Sequence, residues 1–213
     1  MAKPLALSNS RELCRGMATL FKDGDVRRAV YARMLGSAMR SADTLVIDEL
    51  GLDHGSCRID IAVINGHIRG LEIKAEADTL ARLPFQVSAY GEVVDKASLI
   101  VAERHLDAAR LLVPDWWGVV LARRCANGEV ALRRIRDEKV NRSIDPVTLA
   151  RLLWRPEIVQ MLRDLGHPER TLRAPRDALY PILASALPRR VLGARVRETL
   201  KARAVWRDRP RPQ

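Results

Sequence analysis

Asp60, Glu72 and Lys74 are the residues whose types and spacing could do chemistry. They stand in "RIDIAVINGHIRGLEIK", residues 58–74, where two apolar runs flank Asn65-Gly66. Two carboxylates brought close together repel each other unless a cation lies between them. Hard oxygen donors of this kind suit Mg²⁺ or Mn²⁺. An ammonium two residues beyond Glu72 would then face a water or phosphate beside that ion. This is the equipment of phosphodiester hydrolysis: a polarised phosphate, an activated water and a cation for the charge of the transition state. The same three residues also fit an edge hairpin with one face in water.

The register of the hairpin decides between these readings. Strand side chains alternate, so Glu72 and Lys74 share one face and Leu71 and Ile73 take the other. On the first strand, Ile59, Ile61 and Val63 are expected opposite Asp60 and Ala62. A two-residue Asn65-Gly66 turn pairs Asp60 with Leu71 and sends Glu72 to the far side. A three-residue loop, or a bulge at Gly70, moves the pairing by one and sets Asp60 against Glu72. A functional site requires that shift.

Around the hairpin the pattern predicts a helix over 26–39, N-capped by Asp25, and a strand over 44–50. Strands are expected over 57–64 and 68–75, then a helix from Asp78-Thr79 to about Val94 with Pro84 in its first turn. Further strands are expected at 97–103, 116–122 and 129–135, with a short helix near 104–112. From Asp145 the pattern becomes helical: 145–153, 156–165, 174–186 and 190–205, punctuated by Pro156, Pro168, Pro175, Pro181 and Pro188. The order implies an α/β core over residues 1–136 and a helical extension over 137–213, on or beside it.

Charge divides the chain in the same place. The net charge is +11. Residues 1–132 hold 17 basic and 17 acidic side chains, whereas residues 133–213 hold 20 and 9. A localised surplus of this kind attracts polyanions, nucleic acid first, through counterion release; it also suits a solvated helical surface. Arg190, Arg197 and Lys201 recur on one face of the last helix, and an apolar stripe of Leu192, Val196 and Leu200 runs beside them. That arrangement predicts a packed helix with a basic ridge toward a phosphate backbone. The terminal "RDRPRPQ" is expected to fray.

Other chemistry finds little support. Cys14, Cys57 and Cys125 are widely spaced and read as reduced packing residues. His54, His67, His105 and His167 show no metal-ligand spacing. Glycine-rich nucleotide loops and the G-x-S-x-G elbow are absent from the sequence. Of Trp116 and Trp117, one is expected in the core. The 47% apolar content supports a substantial core. No apolar run approaches the roughly 20 residues of a bilayer span. "MAKPLALSNSRELC" lacks a signal-peptide apolar segment, so a cytoplasmic protein without membrane partners is expected.

The strand ending "RID", the strand ending "EIK" and the following helix with Gln86 and Tyr90 resemble the PD-(D/E)XK nuclease superfamily. Gln86 and Tyr90 match the Q-x-x-x-Y element of its RecB-like and Cas4-like branches. The stretch "RIDIAVINGHIRGLEIKAEADTLARLPFQVSAYGEVVD", with "WWGVVLA" and "LLWRPEIVQMLRDLG", is similar to a little-characterised bacterial family of that superfamily. The likeness extends over about residues 25–205. Ile59 stands where the namesake Pro-Asp pair has proline. The resemblance implies a restriction-endonuclease-like αβββαβ core with a mixed sheet and a Mg²⁺- or Mn²⁺-dependent nuclease, acting on DNA by in-line attack of an activated water. It implies Asp60 and Glu72 as metal ligands together with the Ile73 carbonyl, and Lys74 as the group that orients water and stabilises the transition state. Glu49 is open between a third carboxylate on the metal and an ion-pair partner of Arg58. Gln86 and Tyr90, one helical turn apart, are expected at the same site in contact with nucleic acid. A homodimer would suit double-strand cutting. The competing expectations are a non-catalytic nucleic-acid-binding module of the same fold and a protein-interaction scaffold.

Overall fold

In the computed structural model, residues 21–203, 205–206 and 209–210 are described. Cys14 and the N-terminal segment lie outside them. Six strands form one sheet in the order β1 (Leu45–Leu52), β2 (Cys57–Ile64), β3 (Ile68–Lys74), β4 (Lys96–Ala102), β5 (Gly118–Arg124) and β6 (Val130–Arg136). The β1–β2, β2–β3 and β5–β6 pairs are antiparallel, and β3–β4 and β4–β5 are parallel. The parallel steps need crossovers. Helix α3 (Leu83–Gly91) makes the first and α4 (Leu106–Leu112) the second. The protein is thus a mixed α/β fold.

Helices cover both faces of the sheet. On one face α1 (Asp23–Arg33) packs Val26, Ala29 and Val30 against Ile61, Val63, Leu71 and Ile73. The other face is covered by α3 and α4 together with α5 (Pro146–Ala150), α6 (Arg155–Asp164), α7 (Glu169–Leu172), α8 (Arg176–Ala186) and α9 (Arg189–Ala202). Leu149, Ile158, Leu183, Leu192, Val196 and Leu200 from this helical region join Leu45, Ile59, Tyr90, Leu99 and Trp117 in one cluster. The C-terminal helices therefore share a hydrophobic core with the sheet. Among the described residues no helix is long and apolar enough to cross a membrane.

Several elements depart from the expected boundaries. The helix over 26–39 is two pieces, α1 and a short α2 (Gly36–Met39), and it begins earlier than Asp25. Asp25 lies inside the first turn and accepts from the main-chain N–H of Lys22 at 3.0 Å. The stretch 78–82 stays out of α3: Asp78 accepts from the Ala75 N–H at 2.8 Å and closes a turn instead. Trp116 and Trp117 precede β5 rather than opening it. Helix α7 had no counterpart in the pattern, being only one turn long. Pro181 lies inside α8 without ending it. Beyond α9, residues 205–206 and 209–210 pair as two short antiparallel strands. The last helix therefore stops at Ala202, short of the expected 205. Of the end expected to fray, only residues 209–210 are described.

Alternation also fails at one point. Ile59, expected to share a face with Ile61 and Val63, packs with Tyr90 on the opposite side. In β1 the same change of phase falls between Ile47 and Leu50, both of which face the Tyr90 side. Glu49 lies between them with φ +58°. A left-handed residue reverses the side-chain phase of an extended strand, and for a non-glycine residue that conformation is uncommon. The two phase breaks are neighbours across the β1–β2 pair, at Glu49 and Asp60.

Gly70 is required by packing. A Cβ there would sit 2.9 Å from the Tyr90 ring and 3.4 Å from Ile59. The Tyr90 ring cannot move aside, because it is fully buried and stacked on Trp117 at 5.2 Å between centroids. Gly70→Ala should lower the urea midpoint at unchanged slope, with a loss of about 1–3 kcal/mol, the usual cost of overpacking a close-packed interior.

Candidate active site

The β2–β3 loop settles the register. Ile64 pairs with Ile68, which leaves a three-residue loop of Asn65, Gly66 and His67. Gly70 pairs regularly with Ala62, so no bulge is involved. The Asn65 side chain accepts from the His67 N–H at 3.2 Å and supports the wider loop. Continuing the ladder past Ile61–Leu71 sets Asp60 against Glu72. The regular pairing stops there, and the Asp60 carboxylate takes over a backbone partner: its Oδ2 accepts from the Ile73 N–H at 2.7 Å.

Glu72 and Lys74 are buried on the Tyr90 side of β3. Lys74 Nζ lies 2.5 Å from Glu72 Oε1 and donates to Gln86 Oε1 at 2.9 Å. Tyr90 donates its hydroxyl to Glu72 Oε2 at 2.6 Å. Both oxygens of Glu72 are thus hydrogen-bonded, as burial of a charge requires. The helix spacing of Gln86 and Tyr90 brings both onto the β3 pair. For Tyr90 the role differs from the expected one, whereas Gln86 lines the cleft. Tyr90 is fully buried and holds Glu72, so it has no surface to offer a nucleic acid.

Asp60 is less well compensated. Its Oδ1 accepts no hydrogen bond from the described residues. Burial, reinforced by the negative charge of Glu72, pushes its carboxyl up to about 7. The Ile73 N–H and Lys74 oppose that shift without cancelling it. A buried carboxylate that pays for its own ionisation is a common mark of functional sites.

Glu49 lines the same cleft from β1. Two arginines hold it: Arg27 Nη2 at 3.3 Å from one oxygen and Arg58 Nε at 3.2 Å from the other. Arg27 also reaches Asp48 at 2.7 Å and the main-chain oxygen of Asp60 at 2.8 Å, so α1 anchors the phase break itself. Between the two expectations for Glu49, the ion pair is formed. Among the described residues no three His, Cys, Asp or Glu side chains gather as a metal-binding group.

Asp60, Glu72 and Lys74 open into a cleft of about 680 Å³ that also reaches Arg82, Phe85 and Gln86. The donor set fits a hard divalent cation in part. Two carboxylates of adjacent strands face one space, one oxygen of Asp60 has no partner among the described residues, and the charge of Lys74 does not offset the rise of the Asp60 carboxyl. Mg²⁺ commonly takes one or two carboxylates and completes its shell with water and phosphate oxygens.

The basic ridge of α9 is not a free surface. Arg197 pairs with Asp95 at 3.7 Å, and Lys201 pairs with Asp43. The two side chains are 19% and 21% exposed, so they tie α9 to the sheet. Arg190 alone of the three is exposed without an ion pair among the described residues. A helix that carries apolar and basic stripes side by side turns the border between them inward. The sequence pattern showed the stripes but not the acids waiting opposite.

Together the fold and cleft define an α/β protein with a paired-carboxylate and lysine site at the edge of a β-hairpin. The chain belongs to the bacteriophage P4 protein cII family, which it matches over residues 17–205. Protein cII of Enterobacteria phage P4 is similar to it, 25% identical over 150 residues. That match takes in 70% of this chain and 56% of the relative, so the chain spans little more than half of that protein. No solved structure matches.

The raised carboxyl carries a signed pH dependence. An acid whose folded pKa exceeds its ordinary value binds its proton more tightly when folded, so stability falls as pH rises from about 4 through about 7. Asp60→Asn removes that cost. In chelator the variant should be more stable than the parent by roughly 1–3 kcal/mol at pH 8, with the difference shrinking toward zero by about pH 4. Thermal melts across that range measure it. A pH-independent difference would mean that Asp60 is ordinarily solvated.

Proposed function

We propose that this chain is a Mg²⁺- or Mn²⁺-dependent nuclease of the PD-(D/E)XK type, with a restriction-endonuclease-like core, hydrolysing phosphodiester bonds in DNA. The description of the P4 protein cII family names no reaction, so the reading rests on the site. The single observation that carries it is the three-residue loop, which sets Asp60 against Glu72 with Lys74 beside them in one cleft. The strand and helix order around the cleft, α1, β1–β3, α3 and β4, agrees with the αβββαβ core that the resemblance implies.

Asp60, Glu72 and the Ile73 carbonyl would hold the cation, which when bound polarises a phosphate oxygen and makes an adjacent water more acidic. The chain's own residues supply the rest. Tyr90 and Lys74 fix the rotamer of Glu72 by engaging both its oxygens. Gln86 holds Lys74 from the helix side, so the ammonium is oriented before any substrate arrives. A preset cation beside the phosphate stabilises the charge that develops on its oxygens without reorganisation. Arg27 fixes the strand break through the Asp60 carbonyl and pairs with Glu49.

One observation favours a second reading, a nucleic-acid-binding module of this fold without catalysis. Lys74 and Tyr90 already satisfy Glu72, so this carboxylate is stable in the absence of any metal.

A cleavage screen over single-stranded, duplex, flap and junction DNA, with Mg²⁺ or Mn²⁺, separates the two. The nuclease should cut at least one form, stop on addition of chelator, and lose about 100-fold or more in kcat on Lys74→Ala, the scale of removing one preorganised charge donor. Asp60→Asn should abolish cleavage although it stabilises the fold. Salt-dependent binding with no cleavage of any form would favour the second reading.

A further inference from the structure

A second cleft, of about 560 Å³, adjoins the first: Glu49, Gly55 and Arg58 line both. Its other walls come from β1 and the turn after it, with Asp48 and His54, and from the helical region, with Arg151, Trp154, Arg176 and Tyr180. Each cleft carries an aromatic side chain that the core leaves uncovered. Phe85, on the rim of the first, is 56% exposed although its surroundings are polar. Trp154, in the second, remains 36% exposed even though the Arg203 guanidinium lies 4.2 Å from its ring centroid.

Arginines lie between and beyond these rings. Arg82 is exposed and has no ion pair among the described residues. Arg58, at the junction, is 66% exposed and, among the described residues, paired only with Glu49. Arg151 and Arg176 are 37% and 46% exposed and pair with Asp53 at 2.8 Å and Asp177 at 3.7 Å, half-exposed or exposed acids that a phosphate can displace. The wall of the second cleft also contains unsatisfied polarity. Tyr180, only 1% exposed, has a buried hydroxyl with no hydrogen-bond partner among the described residues, and Arg151 Nε is likewise unpartnered. Buried polar atoms are normally satisfied, and a pair of orphans on one cleft wall points to a polar ligand there.

We propose that the two clefts form one track for an unpaired nucleic-acid strand, with bases stacked on Phe85 and Trp154 and phosphates held by Arg58, Arg82, Arg151 and Arg176. The inference rests on the reading of the carboxylate cleft as a phosphodiester site. It adds the strand form of the substrate and the residues that select it. Aromatic faces alternating with cations are the features by which proteins hold single strands without reading sequence. A base within a duplex has both faces in its own stack and cannot use a phenyl or indole face. An acidic peptide would engage the arginines and leave the rings idle.

The test is binding in chelator, so cleavage plays no part and the two proposals fail separately. The probe is a single-stranded oligodeoxynucleotide of about 12 nucleotides carrying 2-aminopurine, within the site sizes of such grooves. The single strand should bind more tightly than the matching duplex, with quenching of the 2-aminopurine emission. Phe85→Ala and Trp154→Ala should each raise Kd about 5- to 100-fold, the range of one base–aromatic stack. Phe85→Tyr and Trp154→Phe keep a ring and should retain both affinity and quenching, which a merely structural defect would not distinguish from alanine. Duplex binding as tight as single-strand binding, or unchanged Kd in both alanine variants, overturns the proposal.

Discussion

A single residue of loop length decides whether Asp60 and Glu72 meet. With Ile64 opposite Ile68, every position of β3 is aligned with β2 so that the acidic residue of one strand meets that of the other. A loop shorter by one would have paired Asp60 with Leu71 and turned the two carboxylates to opposite sides of the sheet. The apolar partners would have suffered in the same slip. Glu72 and Lys74 occupy the face where Tyr90 and Trp117 form a packed wall, and Leu71 and Ile73 belong to the core under α1. Register is therefore enforced by burial on both faces, and the site inherits that precision.

The pair of phase breaks at Glu49 and Asp60 is the second constraint. Regular strands would place Ile59 on the α1 side and leave the Tyr90 side without it. The left-handed Glu49 lets β1 and β2 change phase together, so both remain paired while their apolar side chains exchange faces. Such a conformation costs energy in a non-glycine residue. Arg27 and Arg58 offset it by holding the Glu49 carboxylate, and Arg27 also grips the Asp60 carbonyl. Strain, ion pairs and the end of the regular β2–β3 ladder thus coincide at the mouth of the cleft.

The helical region does two jobs in this arrangement. Its apolar stripes complete the core on the Tyr90 side, and its arginines and Trp154 extend the wall of the cleft system beyond the sheet. The excess positive charge of residues 133–213 is in part internal. Arg197, Lys201 and Arg203 are spent on Asp95, Asp43 and Glu157, which tie the helices to the rest of the molecule. Arg151 and Arg176 line the second cleft, and each is itself paired, with Asp53 and Asp177. Net charge by itself does not distinguish these uses, because a paired arginine and an unpaired one contribute equally to it.

Much of this was legible in the residues. Apolar runs rich in β-formers placed β1 to β6 within a residue or two, since strands covered on both faces read as continuous apolar runs, and the helical period placed α6, α8 and most of α9. The types at Asp60, Glu72 and Lys74 suggested one shared site, and the resemblance added Gln86 to it. Tertiary structure decided which of these groups meet. Loop length, hence register, turned on the Asn65 side chain and on the packing of both faces, neither of which Asn65-Gly66 encodes locally. The exchange of Ile59 between faces depends on a strained residue in a neighbouring strand. The α9 ridge turned inward because Asp43 and Asp95 lie in space beside residues more than a hundred positions away in the chain. Local pattern determines which side chains can share a face; only long-range packing determines what that face is pressed against.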